Sequence, residues 1–287
     1  MGGDAKLSDV QSISATPVCE DAMTRGPVIR DASSEYQRGG GVKRLTSIFL
    51  LFLCGCLAGL GARAQPIAPT DVLQTRYPAL YRLYEDYQQY HPGLERYAVM
   101  QGFRFPFEKT AIEAHELIHI ASYVHQGFFV DGIYYEPYLQ AEAWPRLTND
   151  EVAPTVPMSQ QDNVYRLYML KTPKNNLGNL VDEINAYGHV LPFVCENEPA
   201  SAGKQVTNAI GFLRLIEHFL LYLRSRDDEQ YRRLAARAES RGIFTLVVQR
   251  AWRALEGCGV AEATVPMAES LAFIAAAQRR TGGAGGN

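Results

Sequence analysis

The apolar run at 45–60 (LTSIFLLFLCGCLAGL) decides how much of this chain can enter a globular fold. Lys43-Arg44 precede it, and Gly61-Ala62-Arg63-Ala64-Gln65 follow. A basic start, a short apolar centre and Ala-x-Ala before the break have the form of a secretory signal peptide, with cleavage expected after Ala64. The run also falls short of the ~20 apolar residues that a bilayer span needs. An uncleaved anchor is the alternative, and lipidation at Cys56, within Leu53-Cys54-Gly55-Cys56, is a lesser one. Residues 1–41 are rich in Gly, Ser and Asp and show no apolar period, so a disordered extension is expected there. A signal peptide normally opens a chain, which makes Val42 the natural candidate for the true start. On this reading 42–64 is the signal peptide. The folded protein is 65–287, periplasmic or secreted, with no stable membrane span after cleavage.

The whole chain has 28 Lys+Arg against 31 Asp+Glu, 47% hydrophobic residues and five cysteines. That is the composition of an ordinary globular protein. A net charge of −3 argues against nucleic acid as the main partner, because phosphate binding needs a concentrated basic surface. Beyond residue 64 only Cys195 and Cys258 remain. An exported protein meets an oxidising compartment, so this pair is a disulfide candidate, with two buried thiols as the alternative.

Along 65–287 the helical period dominates. Tyr77, Tyr81, Tyr84, Tyr87 and Tyr90 recur at spacings of four and three, with Pro78 at a first-turn position, and predict an amphipathic helix ending before His91-Pro92. The aromatic content of 97–105 predicts an edge strand, and 165–169 a second short strand. Thr110-Ala111-Ile112-Glu113 has the form of a capping box and predicts a helix start, with Gly127 as its stop. Two apolar runs around Asp131-Gly132 predict a hairpin. The stretch 145–164 reads as a loop, followed by a helix over 177–187. Further helices are expected over 203–226, 227–240 (stopping at Gly242), 243–256 and 266–280, and a disordered tail over 282–287. The run 210–223 contains Arg214, Glu217 and His218, so it predicts a buried core helix. The fold class expected is α+β, predominantly helical, divided into a catalytic region at 65–200 and a C-terminal helical region at 201–281.

One motif stands above this background: His115-Glu116-Leu117-Ile118-His119, or H-E-x-x-H. Residues i and i+4 share a helix face, so both imidazoles can reach one ion. Zinc accepts neutral imidazole nitrogen and prefers four ligands. Glu116 lies beside the pair, placed to act on a water rather than on the metal. Two residues compete as third ligand. His125 follows at the spacing H-E-x-x-H-x-x-G-x-x-H, but the helix-breaking glycine is replaced by Ser122. On a continuous helix His125 would lie ~120° round from His119. Glu183 lies on the second predicted helix, followed by Ala186 at +3, and is preferred on geometry. Asp182 reads as a solvated neighbour. Tyr187 and His189 are possible donors to an oxyanion, with packing the stronger reading for Tyr187. Glu217-His218 lacks the histidine of an inverted motif, because that position is Arg214, and His91 reads as a turn residue.

Over about 110–190 the chain resembles the zincin metallopeptidases, and among them the gluzincins. The resemblance rests on His115-Glu116-x-x-His119 together with Glu183. It implies a zincin-like fold and a Zn2+ ion held by His115, His119 and Glu183. It also implies Glu116 as general base on a water, and a peptide or protein substrate. The sequence departs from the thermolysin-like pattern, having no Asn before Glu183 in N-E-x-x-x-D and Tyr at 187. Two alternatives to an exported zinc peptidase are a catalytically inactive zinc-binding envelope protein and a helical scaffold in which the motif is accidental.

Overall fold

A computed structural model describes residues 67–157, 162–261 and 267–282. The expected extension at 1–41, the signal segment with Cys56, and the tail from 283 onward lie outside the described residues. The described residues are predominantly helical, with one two-stranded sheet among them. The helices are α1 (Pro69–Arg76), α2 (Pro78–Asp86), α3 (His91–Met100), α4 (Pro106–His125), α5 (Asn149–Val152), α6 (Leu177–Asn197), α7 (Gly203–Arg226), α8 (Asp228–Ala236), α9 (Ala238–Gly257) and α10 (Ala268–Gly282). Strands β1 (Phe128–Val130) and β2 (Ile133–Tyr135) follow α4, and a single π-helical turn occupies Tyr165–Leu170.

The organising element is α6. Nearly every residue from Leu177 to Val194 is buried, because the helix serves two apolar clusters at once. Val181, Ile184 and Leu191 join Phe212, Phe219, Phe244 and Phe273 of α7, α9 and α10. Ala186, Val190, Phe193 and Val194 join Leu73, Leu83, Leu117 and Ile118 of α1, α2 and α4. A helix apolar on all sides must be a central one. Its closest approach to α9 is at Gly188, where a Cβ would stand 3.3 Å from the Ala251 nitrogen. Cys195 and Cys258 form a disulfide between the C-terminal ends of α6 and α9, with Cα atoms 5.4 Å apart.

Several local expectations are corrected. The 97–105 segment is not a strand: Leu94 and Ala98 are buried at helical spacing on α3. The chain then turns at Gly102 (φ 85°) and returns Phe103 onto Ala98 and Ile112. Aromatic residues fit a half-buried helix face as well as a strand, and His91-Pro92 supply a helix start immediately after a 3-10 turn at Gln88–Tyr90. The tyrosine-rich helix accordingly ends at Asp86. The 165–169 segment is the π turn; Asp162 caps it by accepting from the Tyr165 N–H at 3.0 Å. Helix α4 begins at Pro106, four residues before the apparent capping box. Pro106 sets the first turn, and Glu108 reaches back to accept from the Arg104 N–H at 3.1 Å. The Glu113 of the apparent box instead accepts from the Tyr84 hydroxyl at 2.6 Å. His91 is the first residue of α3, with its Nδ1 3.4 Å from the same carboxylate.

The α4 stop is built by two residues. Gln126 takes the left-handed position (φ 51°), and Gly127 lets the backbone pass Tyr134, where a Cβ would meet another at 2.9 Å. The hairpin forms as expected, with Phe129 opposite Tyr134 and Asp131-Gly132 both at positive φ. The 145–164 loop contains α5 and a 3-10 turn at Ala153–Thr155. Helix α6 runs ten residues past the expected end, through Pro192. In the C-terminal region the expected break at Gly242 falls inside α9, because the chain actually bends at the extended Arg237. Helix α7 is long and apolar enough to cross a membrane by composition. Its Phe212, Leu213, Leu215, Ile216, Phe219 and Leu220 are all buried in the core. Glu217 caps α10 by accepting from the backbone N–H groups of Glu269 and Ser270, both at 2.8 Å.

The disulfide closes a loop across a sequence separation of 63 residues. Replacing both cysteines (C195S/C258S) is expected to lower the unfolding free energy by about 4 kcal/mol in the chain-entropy account, measured by urea denaturation, and a loss below about 1 kcal/mol would refute a stabilising cross-link.

Candidate metal centre

The centre lies where α4 crosses α6. His115 and His119 project from one face of α4, and Glu183 meets them from α6, sixty-four residues further along the chain than His119. The two Nε2 atoms are 3.1 Å apart. Glu183 Oε2 stands 3.3 Å from His115 Nε2 and 3.5 Å from His119 Nε2. All three residues are buried, and Glu183 Oε2 has no hydrogen-bond partner among the described residues. Two imidazole nitrogens and a carboxylate oxygen converging on a point inside a protein form a group that could hold a metal ion.

His119 is oriented from behind. Its Nδ1–H donates to Asp182 Oδ2 at 2.7 Å, and the Tyr138 hydroxyl donates to the same oxygen at 2.9 Å. This makes Nδ1 the donor to Asp182 and aims Nε2 at His115 and Glu183, where it can ligate an ion in exchange for its proton. Asp182 is therefore not the solvated neighbour that the sequence suggested. It is buried because α6 has no solvent face at this level. Tyr138 lies in the segment after β2 and carries no sequence signal at all; only the assembled fold brings it to Asp182. The ring of Tyr187 packs edge-on against the His115 ring at 4.5 Å.

The electrostatics follow from this crowding. Burial alone would lower the His119 pKa, but the Asp182 and Glu183 carboxylates hold it well above the usual histidine range. Burial would raise Glu183, yet the two imidazoles bring it down to about 2. Glu116 is pushed up by burial, against the opposing effect of His115 and His119. Three carboxylates share this volume with two imidazoles, a charge balance suited to a cation.

The other sequence candidates lie elsewhere or are already engaged. His125 is exposed and stacks on Tyr134 at 3.9 Å, outside the group. Ser122, at the position where a helix-breaking glycine was sought, is fully buried and accepts from the Phe129 N–H at 3.1 Å. His189 donates to the Phe129 carbonyl at 3.0 Å, as does Asn185 Nδ2. Burial, helped by Arg250, lowers the His189 pKa to about 3, so it is a neutral strut for the hairpin. The Tyr187 hydroxyl accepts from Asn208 Nδ2 at 3.1 Å. No family model, curated protein or solved structure matches this chain.

Removing the group behind His119 should weaken the hold of the candidate centre on an added metal ion. Asp182→Ala is expected to weaken metal-ion affinity roughly 10–100-fold, measured by competition with a chromogenic chelator. Affinity equal to that of the unaltered protein would show that His119 needs no support from Asp182.

Proposed function

We propose that this protein is an exported zinc-dependent peptidase. The observation that carries the reading is the triangle of donor atoms, with edges of 3.1, 3.3 and 3.5 Å. A tetrahedral zinc with bonds of ~2.0–2.1 Å spaces its ligand atoms ~3.3–3.4 Å apart, so the side chains fit that ion as they stand. Imidazole donors argue against calcium or magnesium, which take oxygen. Three protein ligands with one position left over is the pattern of catalytic zinc, whereas structural sites are closed by four.

Zinc, when bound, would supply Lewis-acid polarisation of the scissile carbonyl and acidify water toward a pKa of ~7. Glu116 follows His115 directly on α4, so it borders the ion without joining the ligand set. Its role is to take the proton from the attacking water and deliver it to the leaving amine. A carboxylate beside the ion and outside the ligand set can serve both halves of that transfer. Asp182 and Tyr138 hold His119 in the required tautomer. The resemblance to gluzincins and the Ala-x-Ala segment before residue 65 support a peptide substrate outside the cytoplasm, and a disulfide agrees with that compartment.

A second reading is favoured by burial. His115, Glu116, His119 and Glu183 are only 3–6% exposed, which also suits an inactive envelope protein that holds zinc to stabilise its fold or a bound partner.

Glu116→Gln separates the two. It is expected to retain stoichiometric zinc and to lose peptide hydrolysis by about 10²–10⁴-fold, assayed with a mixed fluorogenic peptide library. Equal turnover in both proteins would remove Glu116 from the chemistry, and zinc retention with no hydrolysis in either would favour the second reading. Glu183→Ala is expected to lose most of its zinc by elemental analysis; full retention would take Glu183 out of the ligand set.

A further inference from the structure

Away from the candidate metal centre, the segment that follows the hairpin forms a hollow of about 130 Å3 against α8. The hollow shares no lining residue with the His115, His119 and Glu183 group. One wall is 141–146, and the other is Gln230, Arg233, Leu234 and Arg237. These four recur at i, i+3, i+4 and i+7, so one face of α8, continued onto the bend at Arg237, borders the space. The inner surface is apolar: Ala143, Trp144, Pro145 and Leu234 are buried. The rim is charged, with Glu142, Arg146, Arg233 and Arg237 all exposed.

Both walls are fixed. Trp144 Nε1 donates to the Tyr138 carbonyl at 2.7 Å, and the indole lies against Gly178 of α6, where a Cβ would meet it at 2.8 Å. Ser240 Oγ donates to the Ala143 carbonyl at 2.8 Å, tying the segment to α9. The Arg146 N–H donates to Gln230 Oε1 at 2.6 Å, and Gln230 Nε2 donates to Asp227. The hollow is therefore preformed, and a ligand entering it does not have to order its walls. Its charges are not neutralised by one another. Arg233 pairs with Glu229, whereas among the described residues the side chains of Arg146, Arg237 and Glu142 enter no ion pair.

Two guanidinium groups and a carboxylate around an apolar base match a small zwitterion with an apolar side chain. A guanidinium takes a carboxylate through two parallel N–H···O bonds, and a rim carboxylate takes an ammonium. An apolar cavity of ~150 Å3 takes up benzene, so this one has room for a branched aliphatic side chain, with the charged groups left at the rim. A peptide's C-terminal residue would bring the carboxylate but leave Glu142 without a cation. We propose that the hollow binds a free aliphatic α-amino acid. Its carboxylate lies on Arg146 and Arg237, its ammonium on Glu142, and its side chain against Leu234 and Pro145. The site goes beyond the peptidase reading and does not depend on it.

The test is equilibrium dialysis of the protein against labelled leucine, with and without a metal chelator, since leucine also binds metal ions. Arg146→Gln, Arg237→Gln and Glu142→Gln are each expected to weaken binding at least about tenfold. Arg253→Gln, which removes an exposed arginine outside the hollow, should leave it within about twofold. All four positions are exposed, so the fold should survive each change. Leucinamide lacks the carboxylate and N-acetyl-leucine the ammonium, and each should compete at least about tenfold more weakly than leucine. Competition by N-acetyl-leucine equal to that of leucine would overturn the free amino acid in favour of a peptide C-terminus. Binding that is absent, that vanishes with the chelator, or that ignores the three rim variants would overturn the site.

Discussion

The crossing of α4 and α6 is the contact on which everything else depends. Leu117 and Ile118 on one helix and Ala186, Val190 and Phe193 on the other bury their faces in a shared cluster. The same crossing sets two imidazoles against a carboxylate. Apolar contact and candidate metal site are thus alternate positions of the same two helices. A shift in one cannot occur without a shift in the other. Burying Asp182, Glu183, Glu116 and two histidines costs solvation, and the packing on either side of α6 has to carry that cost.

The parts legible in the sequence are those governed by spacing along one element. His115 and His119 declare themselves because four residues span one helical turn, and the hairpin because Asp131-Gly132 accept positive φ. Glu183 could be chosen over His125 because a straight helix turns His125 away. Each of these inferences needs no knowledge of what packs where. The long C-terminal helices were legible for the same reason, with errors confined to where each one starts and stops.

What escaped the sequence depends on tertiary contact. Asp182 looked solvated because its partners, His119 and Tyr138, come from 63 and 44 residues away. The Thr110–Glu113 pattern was a sound cap in isolation, but Pro106 and Glu108 start the helix earlier and Tyr84 claims Glu113. The segments at 97–105 and 165–169 carry aromatic residues that suit a strand or a half-buried helix equally. Only neighbouring elements decide, with Ala98 and Ile112 in one case and the seat of Val164 on Gly211 in the other. Nothing in the one-dimensional pattern marks the turn at Tyr165–Leu170, since a π turn has no period of its own to read.

Gly188 carries a consequence for the candidate centre. Five residues along from Glu183, it sits ~140° round the helix from that carboxylate, on the side that meets α9, where an added Cβ would crowd the Ala251 nitrogen at 3.3 Å. A side chain there would press α6 away from α9 and toward α4, narrowing the gap between Glu183 and the two histidines. The spacing of the triangle therefore leans on a contact at the far side of the helix, made by a residue that never touches it.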